Sequence, residues 1–538
     1  MAGGGWRLGF IALLLIVAAV AFIQSYQRWL DPIIDTGRDL YIPEQLLHGA
    51  RLYGDIRYQY PPLAPYALAV LTSIVGHSLA AYTVIGLLQS IVIAAALWMI
   101  GRRTAGTLGG FVAALFFVAL SFCGATTWGA NFLFPYSYGA TIGMALIAVA
   151  LALFIYERPA AALVPLFFAS WCKVEYAMAA AVVIIALALI RRVSILQIAG
   201  FVAAEIAAAA FALWYFPNLR DNVFAESLTK GESARQFFRT VSGMSDWEDF
   251  AVSALIAIAA MAAIVWLLRS MRLTIAVPLV IVISLLLPMQ PHAFFRAFGL
   301  LQLVALALGY LRRNATLVIL SAFSIATTLR VPLSVSPVWY GFALIVPTYA
   351  LISYVLFEHL RIGARAVWWL PLVAFLCGRD LIEQHERFAL KMFPIESSRG
   401  RLYDANPDRA RALGDLIRDV HGGTMAVIPE GLTVNYLTAT RTTLSFHTFT
   451  PVETADSSVE DAIIAEFAKS PPDRVVILTR AVGEYGYRGF GIDYDTRLFA
   501  YITRNYRLAR EWDMPRFHMV LTVAARRPFA ALRGNSAR

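Results

Sequence analysis

Cysteine and histidine are scarce in this chain of 538 residues, which has three of the first and eight of the second. The cysteines show no C-x-x-C spacing and no two histidines form an H-x-x-x-H pair, so the sequence predicts no metal site built from these side chains. An odd number of cysteines, all within or beside apolar segments, also argues against a disulfide framework. We expect Cys123, Cys172 and Cys377 to be small packing residues.

Charge is scarce as well, and it is unevenly placed. Charged residues make up 15% of the chain and hydrophobic residues 59%, and the mean hydropathy of +0.65 excludes an ordinary soluble protein. Only 15 of the 35 acidic residues precede Gly378, whereas 20 lie in the last 161 residues. This division predicts a membrane-embedded domain over residues 1–377 and a water-soluble domain over residues 378–538.

Apolar segments alternate with short loops throughout the first domain. The segments are 8–26, 80–100, 108–124, 139–155, 160–173, 176–190, 195–215, 251–268, 273–288, 297–311, 315–329, 338–357 and 366–377. The first has the length of a membrane span and no clear cleavage site, which favours an uncleaved anchor over a signal peptide. The prolines that open residues 63–79 favour a helix at the membrane interface over a further crossing.

Arginines occur in every second loop and set the predicted orientation. They are Arg7, Arg102, Arg103, Arg158, Arg191, Arg192, Arg269, Arg272, Arg312, Arg313, Arg361 and Arg365. With those loops in the cytoplasm, the positive-inside rule gives thirteen crossings and leaves the C-terminal domain outside. The predicted fold class is therefore a polytopic α-helical membrane protein of about thirteen transmembrane helices with an extracytoplasmic C-terminal α/β domain. The net charge of +10 belongs to these loops, so no nucleic-acid partner is predicted.

The C-terminal domain shows alternating helix and strand patterns. Residues 404–420 predict a helix with an Asp or Asn cap, and residues 457–469 predict a helix with a Ser/Glu capping pattern. The short apolar runs TMAVIP, RVVILT and FHMVLTVA predict strands. The glycine-rich run GEYGYRGFG (483–491) lacks the lysine and the strand-to-helix context of a phosphate loop, so a turn is predicted there.

The first external loop, residues 29–65, concentrates acidic residues beside a membrane span. Its carboxylates are Asp31, Asp35, Asp39, Glu44 and Asp55. Charge next to hydrocarbon is costly and usually marks a site. Asp35 and Asp39 share one face if residues 35–48 are helical, and a carboxylate there can take a proton from an acceptor hydroxyl. The alternative is a helix cap with a solvated acidic face.

Basic residues on the predicted external side are candidates for phosphate contact. Arg38, Arg51 and Arg57 either pair with the acids of the loop or hold a phosphate by forked hydrogen bonds. Lys173, one of four lysines against 41 arginines, stands beside Glu175 at a span end. A compact ammonium suits the charge of a leaving phosphate. The alternatives are a plain ion pair with Glu175 and a position at the lipid interface.

The candidates for donor-phosphate or substrate binding are Arg38, Asp39, Glu44, Arg57, Tyr60, Lys173, Glu175, His292, Arg296 and Arg330. For the arginines at the outer boundary, anchoring to lipid headgroups is the alternative. The tyrosines of the external loops either stack on a sugar or belong to the usual aromatic belt; they are Tyr58, Tyr60, Tyr136 and Tyr138. Glu205 lies inside an apolar segment, where a helix-to-helix hydrogen bond is favoured over catalysis.

Several of these features occur together in one known superfamily. Asp35 on the first external loop, the YQYPPLAPY stretch, the inner arginine pairs and an external C-terminal domain resemble the GT-C glycosyltransferases. The branch is that of the protein O-mannosyltransferases and aminoarabinose transferases. The PYS turn and the segments WCKVEY, IPEGLTVNYL and FGIDY are similar to bacterial family-39-type glycosyltransferases.

The resemblance implies a reaction and a catalytic residue. Such enzymes pass a sugar from a polyprenyl-phosphate carrier to an acceptor across the membrane, which implies an inverting transfer with Asp35 as the base. The implied partners are a polyprenyl-phosphate-linked sugar, membrane lipids and a glycan, lipid or protein acceptor of the cell envelope, at the bacterial inner membrane. Many relatives have Asp-Glu where this chain has Asp35-Thr36, and Asn131 stands where relatives often have a second acid. No cofactor is predicted, and a divalent metal stays open with no ligand assigned.

Two other functions compete with this interpretation. A transporter or lipid flippase predicts charged groups near mid-span and repeats of broken helices. The apolar segments contain one mid-span acid, Glu205, and no evident repeat. A membrane-anchored assembly protein without catalysis leaves the acidic loop unexplained.

Overall fold

The computed structural model describes residues 3–124, 131–216, 218–225, 255, 259, 262–286, 298–329, 344–359 and 367–524. The chain forms two compact units. The larger contains Met1–Asp31 and Tyr58–Lys391, and the smaller contains Pro32–Arg57 and Met392–Arg538. The predicted boundary at residues 377/378 falls inside a helix of the larger unit, and most of the first external loop belongs to the smaller unit.

The larger unit is helical. Its helices are α1 (Gly3–Ser25), α3 (Leu63–Val75), α4 (Leu79–Phe117), α5 (Tyr138–Ile155), α6 (Pro159–Ser170), α7 (Val174–Leu189), α8 (Ile195–Tyr215), α9 (Leu273–Leu286), α10 (Phe298–Leu311), α11 (Ala315–Thr328), α12 (Val346–Tyr354) and α13 (Leu370–Ala389). Helix α2 (Gly37–Leu47) belongs to the smaller unit. Short π-helical turns continue α4 and α12, at Val118–Phe122 and Val355–His359.

Helix α4 covers two of the predicted spans. Its backbone leaves the helical conformation at Ala105 and at Gly106, where φ is 75° and ψ is −175°. A Cβ on Gly101 would lie 2.5 Å from the main-chain oxygen of Gly109, so the stretches before and after the break approach each other closely. The chain therefore turns between the predicted segments 80–100 and 108–124.

The long helices of the larger unit differ in how much of their surface is buried. Among the described residues, four helices are long and apolar enough to cross a membrane: Arg7–Ser25, Leu79–Phe122, Tyr138–Ile155 and Ile195–Tyr215. Within its most apolar window, α5 is 78% buried and packs against α4 and α6, whereas α8 is 6% buried despite its apolar sequence. An apolar helix with an exposed surface is what contact with lipid requires. The same described ranges contain seven shorter apolar helices, and the count of thirteen crossings stays a prediction.

The smaller unit combines helices with two sheets. Strands β1 (Phe393–Ser397) and β2 (Gly400–Asp404) form an antiparallel pair. The second sheet has the order β3-β4-β6-β5, with β3 (Met425–Ile428) parallel to β4 (Arg474–Leu478), and β5 (Tyr506–Met514) and β6 (Phe517–Ala524) antiparallel. The other helices are α14 (Pro407–Asp419), α15 (Leu432–Thr438), α16 (Pro451–Thr454), α17 (Ser457–Lys469) and α18 (Thr496–Asn505).

The local predictions for this unit are largely confirmed. The three predicted strands coincide with β3, β4 and β6, and the Asn406 side chain caps α14 by accepting two main-chain N–H groups. The cap of α17 was predicted wrongly, since Asp456 rather than a serine accepts the Ser458 N–H. The core between sheet and helices contains Ile428, Phe446, Phe449, Ile463, Phe467, Val475 and Leu498. The location of this unit outside the membrane stays a prediction.

Candidate functional site

The acidic loop is fixed within the smaller unit by distant parts of the sequence. Helix α2 packs on α15, and a Cβ on Gly37 would lie 2.1 Å from the main-chain nitrogen of Thr433. Only glycine permits this approach. The Tyr41 hydroxyl accepts the N–H of Thr442 at 2.8 Å, across 401 positions of sequence. The loop that carries the predicted base is therefore held by long-range contacts.

Asp35 lies just before α2 and not on it. Thr36 occupies the N-cap position, so Asp35 is not the cap, and it does not share a helical face with Asp39. The main chain of Asp35 has a φ of 56°, a left-handed conformation that aspartate tolerates better than most residues. Asp35 is half-buried, whereas Asp39 is buried. Of these two acids, Asp35 retains the access that a group meeting a substrate needs.

Glu430 and Arg480 hold Asp35 at the carboxyl ends of two parallel strands. Glu430 follows β3 and Arg480 follows β4. One oxygen of Glu430 (Oε1) accepts the Asp35 N–H at 2.6 Å, and the other (Oε2) pairs with Arg480 Nε at 3.1 Å. The side chains of Glu430 and Arg480 are 8% and 5% exposed. A single buried carboxylate therefore joins the acidic loop to the sheet.

The charges around Asp35 change its proton affinity. Burial and the Glu430 carboxylate raise the pKa of Asp35 well above its ordinary value, while Arg38 and Arg480 oppose the shift. Burial also raises the pKa of Glu430, against the charge of Arg480. A general base works best when its pKa approaches the working pH. The surroundings thus make Asp35 a stronger base than an exposed aspartate.

The arginines of the loop differ in their surroundings. Arg38 acts on Asp35 through its charge. Arg51 forms an exposed pair with Asp55 at 3.0 Å, which is the structural alternative for this arginine. The Arg57 guanidinium lies 4.6 Å from the centre of the Phe446 ring. A phosphate contact of Arg38 or Arg57 stays a prediction.

Glu44 is engaged in an ion pair. Its carboxylate pairs with Arg399, whose guanidinium lies 5.0 Å from the centre of the Tyr436 ring. Both charged side chains are largely buried. This contact ties α2 to the chain after β1 and gives Glu44 a structural role, so its part in substrate binding also stays a prediction.

Three predicted residues meet in the larger unit. Lys173 immediately precedes α7, and its ammonium lies 3.4 Å from Glu175 Oε1 and 4.5 Å from the centre of the Tyr60 ring. The Lys173 and Glu175 side chains are 1% and 8% exposed. Lys173 is therefore a buried cation, and the alternative of a lysine extended to the lipid interface is wrong.

The other predicted residues fall into three groups. Glu205 accepts hydrogen bonds from Ser170 Oγ at 2.7 Å and Trp171 Nε1 at 3.0 Å, which confirms its helix-to-helix role. Tyr138 is a core residue whose hydroxyl donates to the Tyr82 carbonyl, and Asn131 accepts the Phe134 N–H in a buried turn. His292, Arg296 and Arg330 lie outside the described residues.

Sequence reasoning missed Glu430 and Arg480. The segment IPEGLTVNYL contributed to the family resemblance, but no role was assigned to its acid. A usable signal was present, because both residues closely follow short apolar strands and the ends of parallel strands meet at one sheet edge. In the part of the chain that the structure describes, no three His, Cys, Asp or Glu side chains are grouped to hold a metal ion.

Comparisons with known proteins bear on the fold. Residues 56–244 match a family described as a 6-pyruvoyl-tetrahydropterin synthase related domain, a membrane protein. No curated protein matches the chain. ArnT from Cupriavidus metallidurans bound to undecaprenyl phosphate is 15% identical, with 99% of this chain and 100% of that chain covered and a TM-score of 0.46.

An oligosaccharyltransferase from Archaeoglobus fulgidus superposes somewhat better. Its apo form is 14% identical, with 88% of this chain and 70% of that chain covered and a TM-score of 0.50. The same enzyme tethered to an acceptor peptide with the NVT sequon is 12% identical, with 88% and 69% covered and a TM-score of 0.50. The archaeal enzyme is a GT-C glycosyltransferase.

The chain has the GT-C fold. The family resemblance predicted from sequence is thereby confirmed at the level of the fold, which is what so low an identity supports. The GT-C fold, the membrane-protein family match and the exposed apolar helices together identify a multi-pass membrane protein.

Proposed function

We propose that this GT-C protein is an integral-membrane glycosyltransferase. It moves a sugar from a polyprenyl-phosphate carrier to an acceptor on the extracytoplasmic side of the bacterial inner membrane, with inversion at the anomeric carbon. The observation that supports this most is Asp35, a half-buried carboxylate of raised pKa held by a buried ion pair. Such a carboxylate has the proton affinity and the fixed position that a general base needs.

The proposed step is a direct displacement. Asp35 takes the proton of the acceptor hydroxyl while the acceptor oxygen bonds to the anomeric carbon. The bond from that carbon to the phosphate oxygen breaks, and its electron pair leaves with the polyprenyl phosphate. The proton on Asp35 returns to solvent after the products leave.

Lys173 is the proposed partner of the leaving phosphate. Its buried ammonium is held by Glu175 and faces the Tyr60 ring, so it is a fixed positive charge and not a mobile one. A preorganised charge stabilises the developing negative charge of a transition state without reorganising. Arg38 and Arg57 are assigned to the substrate phosphate or sugar on the same argument of charge.

The structure gives no support to a transport function through Glu205. The sequence feature that favoured it was one acid inside an apolar segment, Glu205. Two hydrogen bonds from Ser170 and Trp171 account for that acid as a contact between helices.

The donor prediction is tested with the purified full chain in lipid nanodiscs. Polyprenyl-phosphate sugars and nucleotide sugars are supplied separately with an envelope glycolipid extract, and transfer is followed by mass spectrometry. We expect transfer, with release of polyprenyl phosphate, only from the lipid-linked donor. Transfer from a nucleotide sugar without any lipid carrier would contradict the proposal. Glycolipid and glycan profiles of a deletion strain then identify the sugar and the acceptor.

A further inference from the structure

Two residues of the C-terminal sheet edge contact the acidic loop from outside it. We infer that Glu430 is a positioning residue for Asp35, with Arg480 as its counter-ion, so that the sheet of the smaller unit holds the base beside a buried ion pair. The inference rests on the proposed function of Asp35. The C-terminal part of the chain then acts on the chemistry through Asp35.

The holding role follows from the geometry of one carboxylate. Glu430 Oε1 accepts the Asp35 N–H at 2.6 Å and so fixes the left-handed main chain of Asp35. Glu430 is itself fixed, because its other oxygen accepts from Arg480 Nε at 3.1 Å and both side chains are buried. A shift of Glu430 therefore moves the main chain that carries the base.

The charge-setting role follows from the groups that surround Asp35. Glu430 at the end of β3 and Glu453 on α16 favour its protonation, while Arg38 on α2 and Arg480 at the end of β4 favour its ionisation. Glu430 contacts Asp35 directly through the Asp35 N–H. Neutralising Glu430 therefore lowers the proton affinity of Asp35, and neutralising Arg480 as well offsets part of that change.

Two variants separate holding from charge. A glutamine in place of Glu430 has one acceptor oxygen for two donors, so Glu430→Gln removes the charge and weakens one hydrogen bond. The double variant Glu430→Gln, Arg480→Gln restores the pairing. The side-chain oxygen of the first introduced glutamine is then free for the Asp35 N–H, while its amide donates to the second. Arg Nε and the polar atoms of the Gln side-chain amide are the same number of bonds from the backbone. The glutamine at position 480 is therefore long enough to reach the glutamine at position 430.

The contact between Glu460 on α17 and the start of α18 is a matched control. Glu460 is buried, accepts the N–H groups of Arg497 and Leu498, and pairs with Arg497 Nε at 2.8 Å. Glu460→Gln and Glu460→Gln, Arg497→Gln remove the same charges from the same kind of contact. These changes leave the groups that act on Asp35 in place.

The main measurement is the pH dependence of single-turnover transfer by the full-length variants. We expect the acid-side limb to move to lower pH by about one unit in Glu430→Gln, on the order of the effect of a close charge, and by less in the double variant, which also loses the opposing charge of Arg480. The plateau rate should fall about tenfold or more in Glu430→Gln and recover partly in the double variant. The Glu460 controls should leave the limb in place. Lower rates with an unmoved limb in both Glu430 variants would mean a merely structural contact and overturn the inference.

A second measurement does not depend on transfer. Raised pKa values of Asp35 and Glu430 in the folded protein mean stability that is present at acid pH and lost as pH rises through those values. The fall of the unfolding temperature between pH 4 and neutral pH should be shallower in the Glu430 double variant than in the wild type. Because Glu430 also titrates itself, the comparison is repeated in an Asp35→Asn background, where coupling of the two carboxylates should make the difference smaller. A smaller difference there, in a protein that transfers no sugar, would refute the proposed function and keep the Glu430–Asp35 coupling. An equal difference in both backgrounds would refute the coupling itself.

Discussion

Replacing Asp35 by asparagine separates the chemistry of this residue from its structural role. Asparagine tolerates a φ of 56° about as well as aspartate, and its N–H can still donate to Glu430. The change removes only the negative charge and the ability to take a proton. Loss of a general base lowers the rate about 10²–10⁴-fold, or about 3–5 kcal/mol of barrier.

The same change should not destabilise the fold. Burial and the neighbouring Glu430 raise the pKa of Asp35, so its ionised form is less favourable in the folded protein than in the unfolded chain. Asn removes that unfavourable charge, and stability at pH 7 should stay equal or rise. Asp35→Ala is a poorer test, because a left-handed alanine adds about 1–2 kcal/mol of strain to the loss of the base.

The assay is single-turnover sugar transfer by purified Asp35→Asn, normalised to folded protein, with the unfolding temperature measured in parallel. Asp39→Asn is the internal control, since Asp39 is buried on α2, and its effect should be milder. A near-wild-type rate for Asp35→Asn would refute the reasoning and would favour Asp39 or Glu44 as the base, or a transport function.

Three further predictions follow from the structure. Lys173→Met should lower the transfer rate about 10²-fold or more, while gel filtration still shows a folded protein. Glu175→Gln keeps the ammonium and should lower the rate less. Gly37→Ala should destabilise the smaller unit by about 1–3 kcal/mol, seen as a lower unfolding temperature, because its Cβ would meet the Thr433 main chain at 2.1 Å; an unchanged temperature would mean that α2 does not pack on α15 as described. Reporter fusions after residues 103, 192 and 313 should give cytoplasmic signals and one after residue 399 an external signal; a cytoplasmic signal at 399 would contradict the predicted side of the acidic loop.

Local patterns in the sequence predicted local structure well. Short apolar runs bounded by turn residues became β3, β4 and β6, and an asparagine before a helical pattern became the cap of α14. The break at Gly106 separates two apolar runs that the sequence already separates with Arg102 and Arg103. Periodicity and capping act within a few residues, so one sequence is enough to detect them.

Long-range grouping could not be predicted in the same way. The loop was assigned to the membrane domain because it follows the first span, yet it forms one compact unit with residues 392–538. The contact from Asp35 to Glu430 joins residues 395 positions apart. A carboxylate leaves no sign in the sequence of which distant N–H it will accept. The predicted base was named from a resemblance, while its surroundings needed the fold.

Those surroundings meet two opposing requirements on a base. An exposed aspartate is ionised at neutral pH but holds a proton too weakly to be an effective base, and a buried aspartate without positive neighbours would stay protonated. Burial and Glu430 raise the pKa of Asp35 and so increase its affinity for a proton. Arg38 and Arg480 lower that pKa and so favour the ionised form. Arg480 pairs with Glu430 and also acts on Asp35, so this one arginine opposes the rise in pKa of both carboxylates. In the proposed reaction the acidic loop supplies the carboxylate, and Glu430 and Arg480 after β3 and β4 supply the charge balance under which it takes a proton.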